Sequence, residues 1–229
     1  MTRPAPRYLQ PYVDAAAKHG GTFEAQLWRS REAQAIRFDT IVSMVGEATF
    51  RDARVVDLGC GCGDFAAHLS ERGIAIGEGI GLEAVPELLR AAQDRRLAKW
   101  TFIAGDFVAD REAIAATRPD LCVLSGSLNT LSPRQVRTVI DRAISASRLG
   151  VAFNFLSDRS RRPAGEDLRP ARRFDTLGML RFAFSRSPRV AFRQDHLDGH
   201  DGTIWIARPD VAVPTADEHR SEESNRSGG

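Results

Sequence analysis

The chain has 229 residues, of which 42% are hydrophobic and 27% are charged, and its formal net charge is +2. This composition excludes wholesale disorder, and the near-neutral charge excludes a protein that binds polyanions over its whole surface. The sequence contains no run of about 18 apolar residues and no apolar signal core near Met1, which predicts a cytoplasmic protein with no membrane partner.

Apolar periodicity predicts alternating helices and strands along most of the chain. The predicted helices are 12–18, 30–45, 64–71, 86–97, 110–116, 133–148 and 174–184. The predicted strands are 54–59, 78–83, 101–104, 120–124, 151–156, 189–197 and 203–207. Ser30 and Ser132 are expected as helix N-caps. Five β–α units followed by a strand pair predict an α/β sheet with helices on both faces.

Composition divides the chain into three parts. Residues 1–29 are predicted to form a helical extension or lid, and residues 30–208 a single ligand-binding domain. Residues 209–229 are polar and Ser/Glu-rich, which predicts a disordered tail.

A glycine-rich loop follows the first predicted strand. Asp57 lies near the end of that strand, and Gly59, Gly61 and Gly63 alternate after it. Glycines permit positive φ and close approach of a ligand to the backbone. A dinucleotide loop needs G-x-G-x-x-G, whereas here the spacing is G-x-G-x-G followed by Asp64, which would repel a phosphate. An amino-acid tail whose ammonium faces Asp57 suits this loop better.

Polar residues also end the next three strands. Glu83 lies about 20 residues past the loop, where a carboxylate can accept hydrogen bonds from ribose hydroxyls. Asp106 and Phe107 follow the third strand and suit an adenine amino group and ring. A Ser-Gly-Ser turn, 125–127, follows the fourth.

The cysteines give no metal pattern. Cys60 and Cys62 lie in the glycine loop, without a second pair or a histidine cluster. Packed thiols are therefore expected, and no metal site.

Four segments in order, Val-Asp-Leu-Gly-Cys-Gly-Cys-Gly, Gly-Leu-Glu, Gly-Asp-Phe and Asp-Leu-Cys-Val-Leu-Ser, resemble the motifs of class I S-adenosylmethionine (SAM)-dependent methyltransferases. The resemblance covers about residues 30–207. Further segments are similar to small bacterial methyltransferases of undefined substrate. The resemblance implies a Rossmann-like three-layer sandwich with a seven-stranded, mostly parallel sheet. Its last strand would be antiparallel and inserted beside the fifth.

The resemblance also implies a set of cofactor-binding residues. Asp57 would lie near the SAM ammonium, Glu83 would hold the ribose and Asp106 with Phe107 the adenine. Arg37 either pairs with the SAM carboxylate or packs on an acidic residue of the protein itself. The full predicted cofactor set is Arg37, Asp57, Gly59, Cys60, Gly61, Gly63, Glu83, Asp106, Phe107 and Ser125.

On the acceptor side, Ser127, Asn129 and Asn154 are predicted to orient the substrate. His196 or His200 is the predicted general base if one is needed, the alternative being a solvated turn. No Asn/Asp-Pro-Pro-Tyr/Phe tetrapeptide follows the fourth strand, which counts against methylation of DNA bases.

These patterns predict methyl transfer from SAM to an oxygen or nitrogen of a small molecule. The loop 158–173 carries six arginines, which keeps an RNA methyltransferase open as an alternative. A regulatory module that binds SAM without turnover also remains open, and an NAD-dependent reductase is the outside case.

Overall fold

The computed structural model describes residues 4–163, 165, 167 and 169–209, so the predicted tail lies outside the described residues from position 210 onward. The helices are α1 Gln10–His19, α2 Arg31–Val45, α3 Glu47–Phe50, α4 Asp64–Glu71, α5 Pro86–Asp94, α6 Ala113–Ala116, α7 Pro133–Ala146 and α8 Thr176–Phe184. The strands are β1 Arg54–Leu58, β2 Glu78–Glu83, β3 Trp100–Ala104, β4 Leu121–Leu124, β5 Gly150–Ser157, β6 Arg173–Phe174, β7 Val190–Arg193 and β8 Asp201–Ala207. None of the described helices is long and apolar enough to cross a membrane.

The strands form one twisted sheet in the order β3-β2-β1-β4-β5-β8-β7. Only β8 runs antiparallel to its neighbours, and it is inserted beside β5 with Phe153 opposite Ile204. The predicted seven-stranded Rossmann-like sheet is therefore confirmed, and the two-residue β6 adds to it alongside β5. The strand order reverses between β1 and β4, which is where open α/β sheets bind ligands.

Alternate residues of each central strand face opposite helical layers. Val55 and Val123 pack with α2, α3 and α4, whereas Val56 and Cys122 pack with α6, α7 and α8. Because both faces are covered, β1, β4, β5 and β8 are almost wholly buried, and most of their residues are apolar. This burial holds the strand ends, and so the loops that follow them, in fixed positions.

Both predicted caps are present. The Ser30 side chain accepts from Ala33 N at 3.1 Å. Ser132 and Gln135 form a reciprocal capping box at the start of α7, with Pro133 in the first turn. These side chains satisfy backbone N–H groups that no carbonyl of the helix can reach.

The largest differences from the predicted elements fall late in the chain. The predicted strand 189–197 ends at Arg193, because Leu197 and Asp198 adopt positive φ in the 3-10 turn Leu197–Gly199. The predicted helix 174–184 begins at Thr176, because Arg173 and Phe174 pair with β5. The helix α3 and the 3-10 turn Phe23–Gln26 were not predicted.

Candidate active site

The loop after β1 is a tight backbone cradle. Gly59, Gly61 and Gly63 have φ values of 80°, 54° and 75°, which L side chains rarely adopt. A Cβ on Gly59 would lie 2.7 Å from the Ser127 Cβ, and one on Gly61 would lie 2.3 Å from the Gln26 Oε1. Gly59 is therefore required for space as well as for conformation. At Gly61 the Gln26 amide can move aside, so the positive φ is what requires glycine there.

Glu83 holds the cradle from the end of β2. Its Oε2 accepts from Gly61 N at 2.8 Å and its Oε1 accepts from Val85 N at 2.8 Å. Burial raises the pKa of Glu83 despite these hydrogen bonds. Each carboxylate oxygen keeps a second lone pair, so Glu83 can still accept from a ligand hydroxyl.

Asp57 is buried behind the cradle. Burial first, then the charges of Glu83 and Asp64, raises the pKa of Asp57 to about 8. No described group donates a hydrogen bond to its carboxylate, and the side chain is only 3% exposed. A ligand cation on this side of the loop would favour the ionised form of the Asp57 carboxyl.

The third acidic group, Asp64, is already paired. It accepts from Gln26 Nε2 at 2.6 Å and from Gln34 Nε2 at 3.1 Å, and it forms an ion pair with Arg95. Because it is paired, Asp64 would repel a phosphate less than the sequence predicts. The loop spacing and the carboxyl groups of Asp57 and Glu83 still disfavour pyrophosphate at this loop.

One cavity opens on the cradle and runs over the carboxyl ends of β1, β2, β4 and β5. Ten predicted site residues line it: Arg37, Gly59, Gly61, Glu83, Asp106, Phe107, Ser125, Ser127, Asn129 and His200. Five others do not line it: Asp57, Cys60, Gly63, Asn154 and His196. The predicted motifs thus converge on one cavity. Ten of their residues line it, and the other five lie outside its lining.

At the β4 end, polar side chains divide between support and cavity lining. Asn154 Nδ2 donates to Ser125 Oγ at 2.8 Å, and its Oδ1 accepts from Gly126 N at 2.9 Å. Asn154 is 1% exposed, so it positions the turn and contacts no acceptor, contrary to its predicted role. Ser127 Oγ and Asn129 Oδ1 are buried without a hydrogen-bond partner among the described residues. Such orphaned groups at a cavity wall are suited to a polar ligand.

The N-terminal segment covers the adenine end predicted at Asp106. Tyr8 donates its hydroxyl to Asp106 Oδ2 at 2.6 Å, and burial raises the pKa of Tyr8. Tyr12 is half-buried, and desolvation raises its pKa to about 12. Cys62 N donates to Gln26 Oε1 at 3.4 Å, which joins the segment to the cradle.

Sequence reasoning did not assign Tyr8, Tyr12, Gln26 or Arg29 to the site, although all four line the cavity. They lie before the first regular motif, and only tertiary packing brings them there. The one available signal was Trp28, whose ring packs over Gly126.

Arg37 lies at the cavity wall but its guanidinium is engaged within the protein. Nε and Nη2 donate to the two carboxylate oxygens of Asp201, both at 2.7 Å, and Nη1 donates to Ala33 O at 3.2 Å. Of the two predicted alternatives, the structure has the pairing with an acidic residue. A bidentate pair occupies the planar edge that would otherwise hold a cofactor carboxylate.

The two histidines are buried and do not form a solvated turn. His200 lines the cavity, with Nδ1 3.1 Å from Ser160 Oγ and Nε2 3.6 Å from Asp167 Oδ1. His196 points to Thr203, with 3.3 Å between Nε2 and Oγ1, and does not line the cavity. Burial lowers the pKa of both, so both imidazoles are neutral near pH 7.

The thiols pack as expected. Cys60 joins a cluster with Ala66 and Phe102, and Cys62 Sγ contacts Gly21 O at 3.4 Å. Burial raises the pKa of Cys62 to about 12.

Comparison with known proteins agrees with this geometry. Residues 55–150 match a family model described as a methyltransferase domain. No curated protein matches the sequence.

Solved structures match the fold over most of the chain. Magnesium protoporphyrin IX methyltransferase from Synechocystis, with bound SAM, has a TM-score of 0.63 at 14% identity, covering 90% of this chain and 99% of its own. The CcbJ methyltransferase from Streptomyces caelestis has a TM-score of 0.61 at 13% identity, and the match covers 88% of this chain and 98% of that protein. Phosphoethanolamine N-methyltransferase 1 from Haemonchus contortus has a TM-score of 0.62 at 13% identity, and the match covers 94% of this chain and 53% of that protein.

Residues 55–150 thus match a methyltransferase domain, and the fold is shared with solved SAM-dependent methyltransferases. SAM is the ligand bound in the Synechocystis structure. At identities this low, the solved structures show only that the fold is shared.

Proposed function

We propose that the protein transfers the SAM methyl group to an oxygen or nitrogen of a small molecule bound in the cavity. Gly59 and Gly61 would hold the methionine portion, Glu83 the ribose hydroxyls, and Asp106 with Phe107 the adenine. Support comes from the cradle, whose glycines have positive φ, and from the convergence of these residues on one cavity. Asp57 would attract the ammonium from behind the loop.

Bound SAM supplies a methyl group on a sulfonium, which is already activated toward a nucleophile. The protein's part is therefore to orient the acceptor and to exclude water. Ser127 and Asn129 offer the unpartnered polar atoms for orientation. His200 is the cavity-lining imidazole that can take a proton from the acceptor, since it is neutral near pH 7.

A small acceptor is supported above all by the cavity walls. The N-terminal residues 8–29, the β4–α7 loop and the 3-10 turn before β8 all contribute lining residues. Of the described arginines in the predicted RNA-binding loop, Arg173 is paired with Asp167 and Arg159 lies near Asp158. A walled cavity suits a small molecule better than a polymer.

The proposal is tested by incubating the protein with SAM and a panel of small phenols, amines and acids while measuring release of S-adenosylhomocysteine (SAH). We expect turnover with at least one member and none with the Gly61→Val variant, in which cofactor binding is blocked. SAH binding without turnover on any acceptor would support the regulatory module. Methyl incorporation into RNA alone, lost steeply with added salt, would support the RNA alternative.

A general base at His200 has its own test. His200→Ala is expected to lower kcat and to remove the acidic limb of the pH–rate profile, whereas His196→Ala keeps the profile. Equal activity in both variants would remove His200 from the mechanism.

Asp57 gives a pH-dependent prediction. Because its pKa is raised in the folded protein, wild-type stability falls as the pH rises from about 4 to about 8. Asp57→Asn is expected to remove this fall, stabilising the ligand-free protein by on the order of a few kcal/mol at pH 8 and by nothing near pH 4. Urea unfolding at both pH values measures the difference.

The Asp57→Asn variant also tests whether Asp57 attracts the ammonium group of the cofactor. Ionised Asp57 attracts the cation, so wild-type SAH affinity should strengthen as the pH rises toward 8, while the Asp57→Asn affinity stays weaker and nearly flat. Identical pH dependence in the two proteins would contradict a role for Asp57 in cofactor binding.

A further inference from the structure

The cavity wall carries more unpaired positive charge than the cofactor can use. Three guanidiniums and three carboxylates line it: Arg29, Arg37, Arg162, Glu83, Asp106 and Asp167. All three carboxylates have hydrogen-bond partners, and Arg37 is paired with Asp201. Within the described part of the chain, the guanidiniums of Arg29 and Arg162 have no hydrogen bond or ion pair.

The backbone of Arg162 is held in place. Its N–H donates to Ser160 Oγ at 3.1 Å, and its carbonyl accepts from Arg173 Nη2 at 2.8 Å. Arg173 itself donates to both oxygens of Asp167 at 2.7 and 3.0 Å, and these two side chains are only 14% and 9% exposed. The loop thus fixes the position from which the Arg162 guanidinium lines the cavity.

The two unpaired arginines come from different segments of the chain that line the cavity. Arg29 lies three residues after Gln26, which contacts the glycine cradle. Arg162 lies in the loop after β5 and is close enough to His200 to affect its charge state. SAM brings one carboxylate, which Arg29 can serve from the cradle side. Arg162 is then left for the acceptor.

The residues around Arg162 indicate which kind of anion its guanidinium can bind. His200 is neutral, and Asp167 is balanced by Arg173, so Arg162 adds one positive charge among the described residues that line this end of the cavity. One guanidinium matches the single charge of a carboxylate, whereas a phosphate dianion would keep one charge unmatched. Apolar residues complete this part of the wall: Leu156, Pro170, Ala171 and Leu197.

We propose that the methyl acceptor is a small carboxylic acid with an apolar body, whose carboxylate is bound by Arg162. The attacking oxygen or nitrogen would belong to the same molecule and face Ser127 and Asn129. This inference rests on the proposed function, because it assigns the substrate class of the same cavity.

The test uses binding to the SAH complex and needs no turnover. SAH affinity is measured first by calorimetry, and failure of SAH to bind would overturn the proposed function separately. Matched pairs of aromatic and aliphatic carboxylic acids and their primary amides are then titrated into the SAH complex. We expect acids to bind at least about tenfold more tightly than their amides, as charge-assisted hydrogen bonds provide.

Two substitutions in one loop supply the control. Arg162→Ala is expected to erase the acid preference and leave SAH affinity unchanged, and Arg162→Lys should restore part of it. Arg161→Ala removes an exposed neighbouring charge that does not line the cavity, and should keep the preference. The proposal is overturned if no acid binds, if amides bind equally well, or if Arg162→Ala keeps the preference. Tighter binding of phenyl phosphate than of benzoate would likewise overturn it.

Discussion

Replacing Glu83 with glutamine is expected to weaken SAH and SAM binding by about 100-fold. The glutamine amide group can accept from only one of the two backbone N–H groups now bound at 2.8 Å, so either Gly61 N or Val85 N loses its partner. Loss of a charged acceptor costs about 1.5–3 kcal/mol per hydrogen bond, and the ribose would lose the same acceptor. Isothermal titration calorimetry with SAH measures the change.

Glu78→Gln is the matched control for this experiment. It makes the same substitution at the other end of β2, where Glu78 pairs at the surface with Arg54 at 2.8 Å. Exposed pairs contribute little, so SAH affinity should stay within about twofold of wild type. If Glu78→Gln and Glu83→Gln lost equal affinity, the effect would come from β2 in general and the ribose role would be wrong.

Replacing Arg37 with methionine is expected to destabilise the protein by about 3–5 kcal/mol, because it leaves the Asp201 carboxylate buried and unpaired. The two side chains are only 9% and 1% exposed, and their pairing joins α2 to β8 across 164 residues of sequence. Urea unfolding without ligand measures the loss.

Two further variants separate pairing from simple truncation. Arg193→Met breaks an exposed pair with Asp195 and should cost less than about 1 kcal/mol. The double variant Arg37→Met with Asp201→Leu removes both charges and should recover most of the lost stability. If the double variant were as unstable as the sum of its parts, the buried pair would not be the cause.

Local sequence was sufficient to predict which residues at the strand ends line the site. Parallel strands end at one edge of the sheet, so residues that follow β1, β2, β3 and β4 must meet there whatever the details of packing. Gly59, Glu83, Asp106 and Ser127 could be placed on that reasoning alone, and all four line the cavity.

The walls of the site depend on contacts between distant parts of the chain. Tyr8 reaches Asp106 across 98 residues and Gln26 reaches Asp64 across 38, and neither contact has a periodic or motif signature. Asn154 was predicted to contact substrate because it lies in β5, next to the end of β4. Its burial beneath Ser125 depends on side-chain direction, which periodicity does not determine. Similarly, the positive φ of Leu197 and Asp198, in the turn before His200, falls on residues that are not glycine.

A crystal structure with SAH bound would show whether the cavity is the SAM site. We expect the ribose hydroxyls within about 3 Å of the Glu83 carboxylate. We also expect the methionine portion on Gly59 and Gly61, and the sulfur facing the part of the cavity lined by Ser127, Asn129 and Arg162. SAH bound away from Glu83, or with its sulfur turned away from that part of the cavity, would contradict the proposed site.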